Sequence, residues 1–154
     1  MADSTFYKTA LSKAMAICSR SEHCTDDIRS KLQMWGVGET YIARIISELI
    51  RENFINEKRY AEAFVKDKFR YNKWGKVKIR AGLKMKKIPG EIIKTALDSI
   101  DDDLYKKTMA DLLASRRRSV KAKNQYDLKG KLLRYGLSKG FERDLLYEIL
   151  SGFE

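Results

Sequence analysis

Proline occurs once in this chain, histidine once, cysteine twice and glycine nine times in 154 residues. So few turn formers argue against a fold of many short strands. Two thiols, Cys18 and Cys24, make neither a disulfide framework nor a four-ligand zinc site. His23 beside them supplies no fourth ligand, and the Cys–Cys spacing is wrong for a knuckle. His23 also lacks a partnered nucleophile, and no phosphate-binding glycine loop is present. The run Asp101–Asp103 reads as a helix cap and a solvated turn. No catalytic residue, cofactor-binding residue or metal ligand is therefore assigned, and the chain reads as a non-enzyme. No apolar run reaches the ~18–20 residues of a membrane span. Lys13 interrupts the mild apolar run Ala10–Cys18, so the uninterrupted segment of a signal peptide is lacking and the expected location is the cytoplasm.

Basic charge is abundant. Thirty-two lysines and arginines face 21 acids, a net charge of +11, with 34% of residues charged and 44% hydrophobic. That excess suits nucleic acid, an anionic membrane surface or an acidic protein groove. It is also localised. Lys66–Lys87 holds ten basic residues against Asp67 alone, and Arg116–Arg143 holds ten against Asp127 and Glu142.

Apolar residues recur at helical spacing and nowhere alternate as in a strand. Nine helices are expected, the first from about Phe6 after a frayed Met1–Thr5. The second is capped by Thr25, the third starts near Glu39, and the fourth is capped by Asn56. The fifth spans Trp74–Lys87, and Pro89 sits in the first turn of the sixth. The seventh runs from about Leu104 to Val120, the eighth from Asn124 to Lys139, and the ninth from Glu142 to Gly152. In the fifth, Ile79 and Leu83 want burial, while Lys76, Arg80, Lys84 and Lys87 fall within about 80° of one another on the wheel.

The helices repeat. Val37, Ile88 and Phe141, each in a short link, lie 51 and 53 residues apart. Nine positions before them stand Ile28, Ile79 and Leu132; five before, Leu32, Leu83 and Gly136. Five after stand Ile42, Ile93 and Leu146; nine after, Ile46, Leu97 and Leu150. Gly136 is the one exception to an apolar set. A period near 50 residues marks a tandem array. The expected architecture is all-α: three three-helix units, over 6–55, 56–100 and 101–154, forming an elongated or curved body.

Candidate partner-binding residues are Lys73, Lys76, Lys78, Arg80, Lys84 and Lys87, then Arg116, Arg117, Arg118, Lys121 and Lys123. Cations in these two runs suit phosphates. Trp74, Tyr71 and Tyr126 lie among them and could stack on bases.

Three stretches together resemble the RecX family of recombination regulators: Asn56-Glu57-Lys58-Arg59-Tyr60-Ala61 with Phe64-Val65, Gly75-x-x-Lys78-Ile79 with Leu83 and Lys86-Lys87-Ile88, and Arg134-Tyr135 with Lys139-Gly140-Phe141. The likeness covers roughly residues 10 to 151. Asn56 stands where the family often has Asp, and Gly136 where an apolar residue is usual. The resemblance implies a monomeric modulator, mainly a negative regulator, of the RecA recombinase. Such a protein would lie in the groove of the RecA–DNA filament and limit its extension, ATP hydrolysis, strand exchange and co-protease activity. It would also bind single- and double-stranded DNA weakly and with little sequence preference. The competing expectation is a stand-alone basic DNA-binding protein or transcriptional regulator, since the links at Gly36–Gly38 and Ile88–Gly90 are similar to helix turns.

Overall fold

The computed structural model describes residues 2–153, with side chains from residue 4 onward. Among the described residues there are nine helices and no strand: α1 Ala2–Arg20, α2 Thr25–Met34, α3 Glu39–Arg51, α4 Glu57–Arg70, α5 Lys76–Met85, α6 Gly90–Asp98, α7 Asp102–Ser119, α8 Gln125–Ser138 and α9 Arg143–Leu150.

Several ends differ from the sequence expectation. The first helix already includes Ala2–Thr5. Cys24, not Thr25, caps α2, its Sγ accepting from the Asp27 N–H. Thr25 is the first helical residue, and its N–H and hydroxyl both donate to Glu57. Pro89 stands at the cap of α6, one place outside the helix. Asp101 caps α7, which therefore begins before Leu104. The basic helix is shorter than expected: Trp74 and Gly75 precede it and Lys87 follows it.

All fifteen repeat positions are buried, Gly136 among them. The reason for their periodicity lies in how α2, α5 and α8 stop. Each ends on a left-handed residue, Gly36 (φ 81°), Lys87 (φ 61°) and Gly140 (φ 93°). The next residue is the apolar anchor. Its N–H donates to the carbonyl five residues back: Val37 to Leu32 at 3.0 Å, Ile88 to Leu83 at 3.2 Å, Phe141 to Gly136 at 3.1 Å. This six-to-one bond with an apolar residue after the left-handed turn is the Schellman motif. Gly136 carries no side chain because Leu146 fills the space; a Cβ there would meet Leu146 Cδ2 at 2.4 Å.

Helices pack chiefly as α1 with α2 and α3, α4 with α5 and α6, and α7 with α8 and α9. Two hydrophobic cores result. One joins Ala10, Ala14 and Cys18 to Ile28, Leu32, Ile42, Ile45 and Leu49. The other is continuous from Tyr60 to Leu150, so α4–α9 share one interior. The accessible surface is 9595 Å². A compact monomer of 17.9 kDa would expose about 8,000 Å², so this chain is drawn out rather than spherical.

Both junctions set a buried tyrosine, the fourth residue of its helix, against the start of an earlier helix. In α4, Tyr60 shares a core with Cys24 at the start of α2. The fourth residue of α7, Tyr105, accepts from the Lys76 N–H at the start of α5 at 2.9 Å and donates to Glu142. The surroundings differ. Around Tyr60 the junction is ionic, with Arg59 on Glu22, Lys86 on Asp27 at 2.7 Å and Lys87 on Asp26 at 3.5 Å. Around Tyr105 it is backbone on backbone. The Gly75 N–H donates to the Lys139 carbonyl at 2.7 Å, and the Val77 N–H to the Gly140 carbonyl at 2.9 Å. A Cβ on Gly75 would lie 2.3 Å from the Gly140 carbonyl oxygen, and one on Gly140 would lie 2.2 Å from Lys78 Cβ. Only glycine at both places allows this approach.

Candidate basic interface

The buried stripe Ile79–Leu83 divides the basic helix, because each residue advances about 100°. Lys76, Arg80 and Lys84 lie on one flank and Lys78 on the other. The Lys76 ammonium rests 4.8 Å from the Tyr105 ring centroid, which places it at the junction. Arg80 and Lys84 are exposed, and no ion pair engages them among the described residues.

On the opposite flank Lys78 is not alone. Its ammonium stands 4.6 Å from the centroid of the Trp74 ring, and that of Lys68 stands 4.8 Å from the same ring. Trp74 is half-buried, edge-on to Phe64, so it is an internal platform for cations rather than a free stacking surface. Lys139, from the end of α8, donates to the Asn72 carbonyl at 2.7 Å. Desolvation, then the charge of Lys78, hold the Lys139 ammonium below its usual pKa. None of the three lysines meets a carboxylate among the described ion pairs. Like charges held together at a protein surface form a ready site for a polyanion.

Sequence reasoning missed Lys68 and Lys139. Lys68 lies within the basic run, but only the fold turns it toward Trp74. Lys139 is 61 residues beyond Lys78 in the chain, and the Gly75–Gly140 contact alone brings it across.

The remaining candidates scatter. Lys87 sits in the left-handed turn and is drawn toward Asp26, off the stripe where the sequence placed it. Lys73 is also left-handed, at φ 57°, and closes α4, with the Trp74 N–H on the Lys68 carbonyl at 3.0 Å. A non-glycine residue in that region costs about 1 kcal/mol relative to glycine, so two exposed lysines are kept where glycine would be easier. Consecutive arginines fan around α7. Arg116 lies 4.9 Å from the Tyr135 centroid, Arg117 5.2 Å from that of Phe153, and Arg118 is exposed. Lys121 and Lys123 are exposed in the link to α8, where the Lys123 N–H donates to Asp127. Tyr71 and Tyr126 are both exposed.

The thiols serve structure. Cys18 lies within the first core and Cys24 caps α2. Burial lifts the Cys24 thiol to about 11, well above its ordinary range, so it stays protonated near neutral pH. No helix among the described residues is long and apolar enough to cross a membrane.

Comparison with known proteins places this architecture. The family described as "RecX, second three-helix domain" matches residues 56–97. Regulatory protein RecX of Clostridium beijerinckii is 30% identical over 152 residues, spanning 97% of this chain and 70% of that protein. The Clostridium acetobutylicum protein of the same name is 32% identical over 149 residues, 94% of this chain and 68% of its own. The chain thus spans roughly two thirds of the length of these relatives. The crystal structure of RecX from Lactobacillus salivarius superposes with a TM-score of 0.83 at 26% identity, covering 98% of this chain and 97% of that one. A second crystal structure of regulatory protein RecX gives 0.85 at 21% identity, covering 94% and 71%.

Proposed function

The chain belongs to the RecX family of regulatory proteins, and from that premise we propose that it restrains the RecA recombinase by lying along the groove of the RecA–DNA filament. There it limits filament extension, and with it ATP hydrolysis, strand exchange and co-protease activity. Three three-helix units, 6–55, 56–100 and 101–154, form the reading's framework. Their linkage lets several weak contacts act at high effective concentration. DNA contributes through phosphates, without base-sequence preference.

One observation carries the reading: the unneutralised lysines Lys68 and Lys78 on the Trp74 ring, with Lys139 held on the Asn72 carbonyl nearby, at the junction of the second and third groups of helices. They lie where a long polyanion meets both groups at once. Arg80 and Lys84 offer a second contact line on the other flank, with Lys73, Arg118, Lys121 and Lys123 beyond.

The test is inhibition of the ATPase of RecA assembled on single-stranded DNA. Two neutralised variants are compared, Lys68→Gln with Lys78→Gln, and Arg80→Gln with Lys84→Gln. The first pair is expected to weaken filament binding about tenfold and to lower the salt slope by about two, with unchanged thermal stability. The second pair reports whether the other flank also faces the filament. Full inhibition by both folded variants at moderate salt refutes the basic surface as the contact.

A further inference from the structure

Away from the lysine cluster, a cleft of about 500 Å³ opens between the first turns of α8 and the end of α9. Tyr126 and Tyr147 line it, 90% and 53% exposed, above Leu133 and Leu150. Tyr126, Gly130 and Leu133 share one face of α8, four and then three residues apart. Gly130 adds no side chain to that face, and a Cβ there would make only an ordinary contact, 3.6 Å from Arg134 Nη1.

The repeat does not require these residues. At the positions of Tyr126, Leu133 and Tyr147 the first group of helices has Glu22, Arg29 and Ala43. The second has Lys73, Arg80 and Lys94. Mostly polar positions in two groups have become two aromatic rings and a leucine in the third. Leu133 packs partly against the core, but the two tyrosines bury little of themselves, so the fold alone gives no reason for the rings.

The rim is cationic. Lys129 and Arg134 line the cleft, and Arg143 Nη1 lies 3.4 Å from the Tyr147 hydroxyl. Its one carboxylate, Asp127, is already engaged by the Lys123 N–H at 3.0 Å and by the Lys131 ammonium at 3.3 Å. Exposed aromatic faces flanked by cations suit a flat, polarisable group carrying negative charge on either side. An unstacked nucleotide has that chemistry; a base inside a duplex does not present its face.

We propose that this cleft takes an unstacked base of single-stranded DNA, stacked on Tyr126 or Tyr147, with the adjoining phosphates on Lys129 and Arg134. The site rests on the reading of this protein as a DNA-contacting filament regulator and gives it a preference for single strands. Both tyrosines are exposed, so their removal leaves the fold intact, which circular dichroism checks.

The experiment measures anisotropy of a labelled oligothymidylate and of an abasic strand of equal length, for the parent chain and for Tyr126→Ala with Tyr147→Ala. The parent is expected to favour the base-bearing strand at least about fivefold, the low end for one stacked base. The variant is expected to bind both strands as the parent binds the abasic one. Equal binding of the two strands by the parent, a preference that survives in the variant, or parallel loss of both strands each overturns the base site. A partner protein's aromatic side chain as occupant would appear as the first of these outcomes. Inhibition of RecA is read separately: if it persists while the preference is missing, only the base site has failed. If the parent binds neither strand nor filament, the underlying reading has failed.

Discussion

Gly36 and Gly140 occupy the same place in the repeat, each one residue before a buried anchor and each left-handed. Their alanine variants should nevertheless behave very differently. Gly36→Ala carries only the backbone term, because nothing lies within 4 Å of the added methyl; that term is about 1 kcal/mol. Gly140→Ala carries the same term and a collision. The new Cβ would sit 2.2 Å from Lys78 Cβ, 2.7 Å from its backbone nitrogen and 3.0 Å from its Cα. Two of these are backbone atoms of α5, so no rotamer change relieves the overlap. The α8–α9 link must retreat by about an ångström, an overpacking cost of roughly 1–3 kcal/mol. The retreat weakens the bonds from Gly75 to Lys139 and from Val77 to Gly140, each worth about 1 kcal/mol. The total is about 3–5 kcal/mol, a large part of a typical domain's stability. Urea denaturation measures it against the parent chain, and the difference between the two variants, about 2–4 kcal/mol once the shared backbone term cancels, isolates the collision. Hydrogen exchange at the Gly75 and Val77 amides locates it. If Gly140→Ala falls within 1 kcal/mol of Gly36→Ala, the backbone lock is wrong.

Two further predictions concern places where the chain departs from the easiest residue. Lys87→Gly relieves the left-handed backbone at the cost of an exposed ion pair of little worth. It should therefore gain up to about 1 kcal/mol of stability while weakening RecA inhibition; a variant that is more stable and equally inhibitory leaves Lys87 without a contact role. Gly136→Ala should destabilise by about 1 kcal/mol, because overpacking against Leu146 exceeds the helix-propensity gain of about 1 kcal/mol. Adding Leu146→Val should recover part of that loss; simple additivity of the two changes in a double-mutant cycle would show that they do not collide.

The helical class of the fold was legible in the chain because burial at 3.6-residue spacing is a local pattern. Ile42, Ile45, Ile46 and Leu49 announce α3 unaided, and Asn56 announces the cap of α4. The anchors Val37, Ile88 and Phe141 were legible for the same reason: a Schellman turn ties each to a carbonyl only five residues back. Gly136 looked like a defect in that pattern and is a fitted contact, which depends on a residue ten positions away on another helix. The cap at Cys24 was missed because Thr25 is the stronger capping residue by type, yet its hydroxyl is turned to Glu57 across the junction.

The site divides along the same line. Composition placed charge in Lys66–Lys87 and Arg116–Arg143, since counting requires no geometry. Which lysines converge was decided by tertiary structure. Lys139 reaches Lys78 only because Gly75 and Gly140 bring two backbones within hydrogen-bonding distance, and Lys87 leaves the stripe because its helix ends at Met85. Sequence by itself determined the helices, their repeat and the sign of the surface, all of which follow from short-range periodicity and composition. The junctions, the lysine cluster around Trp74 and the tyrosine-lined cleft join residues far apart in the chain. Their positions depend on the angles at which the helix groups dock, and those angles are fixed by packing between groups.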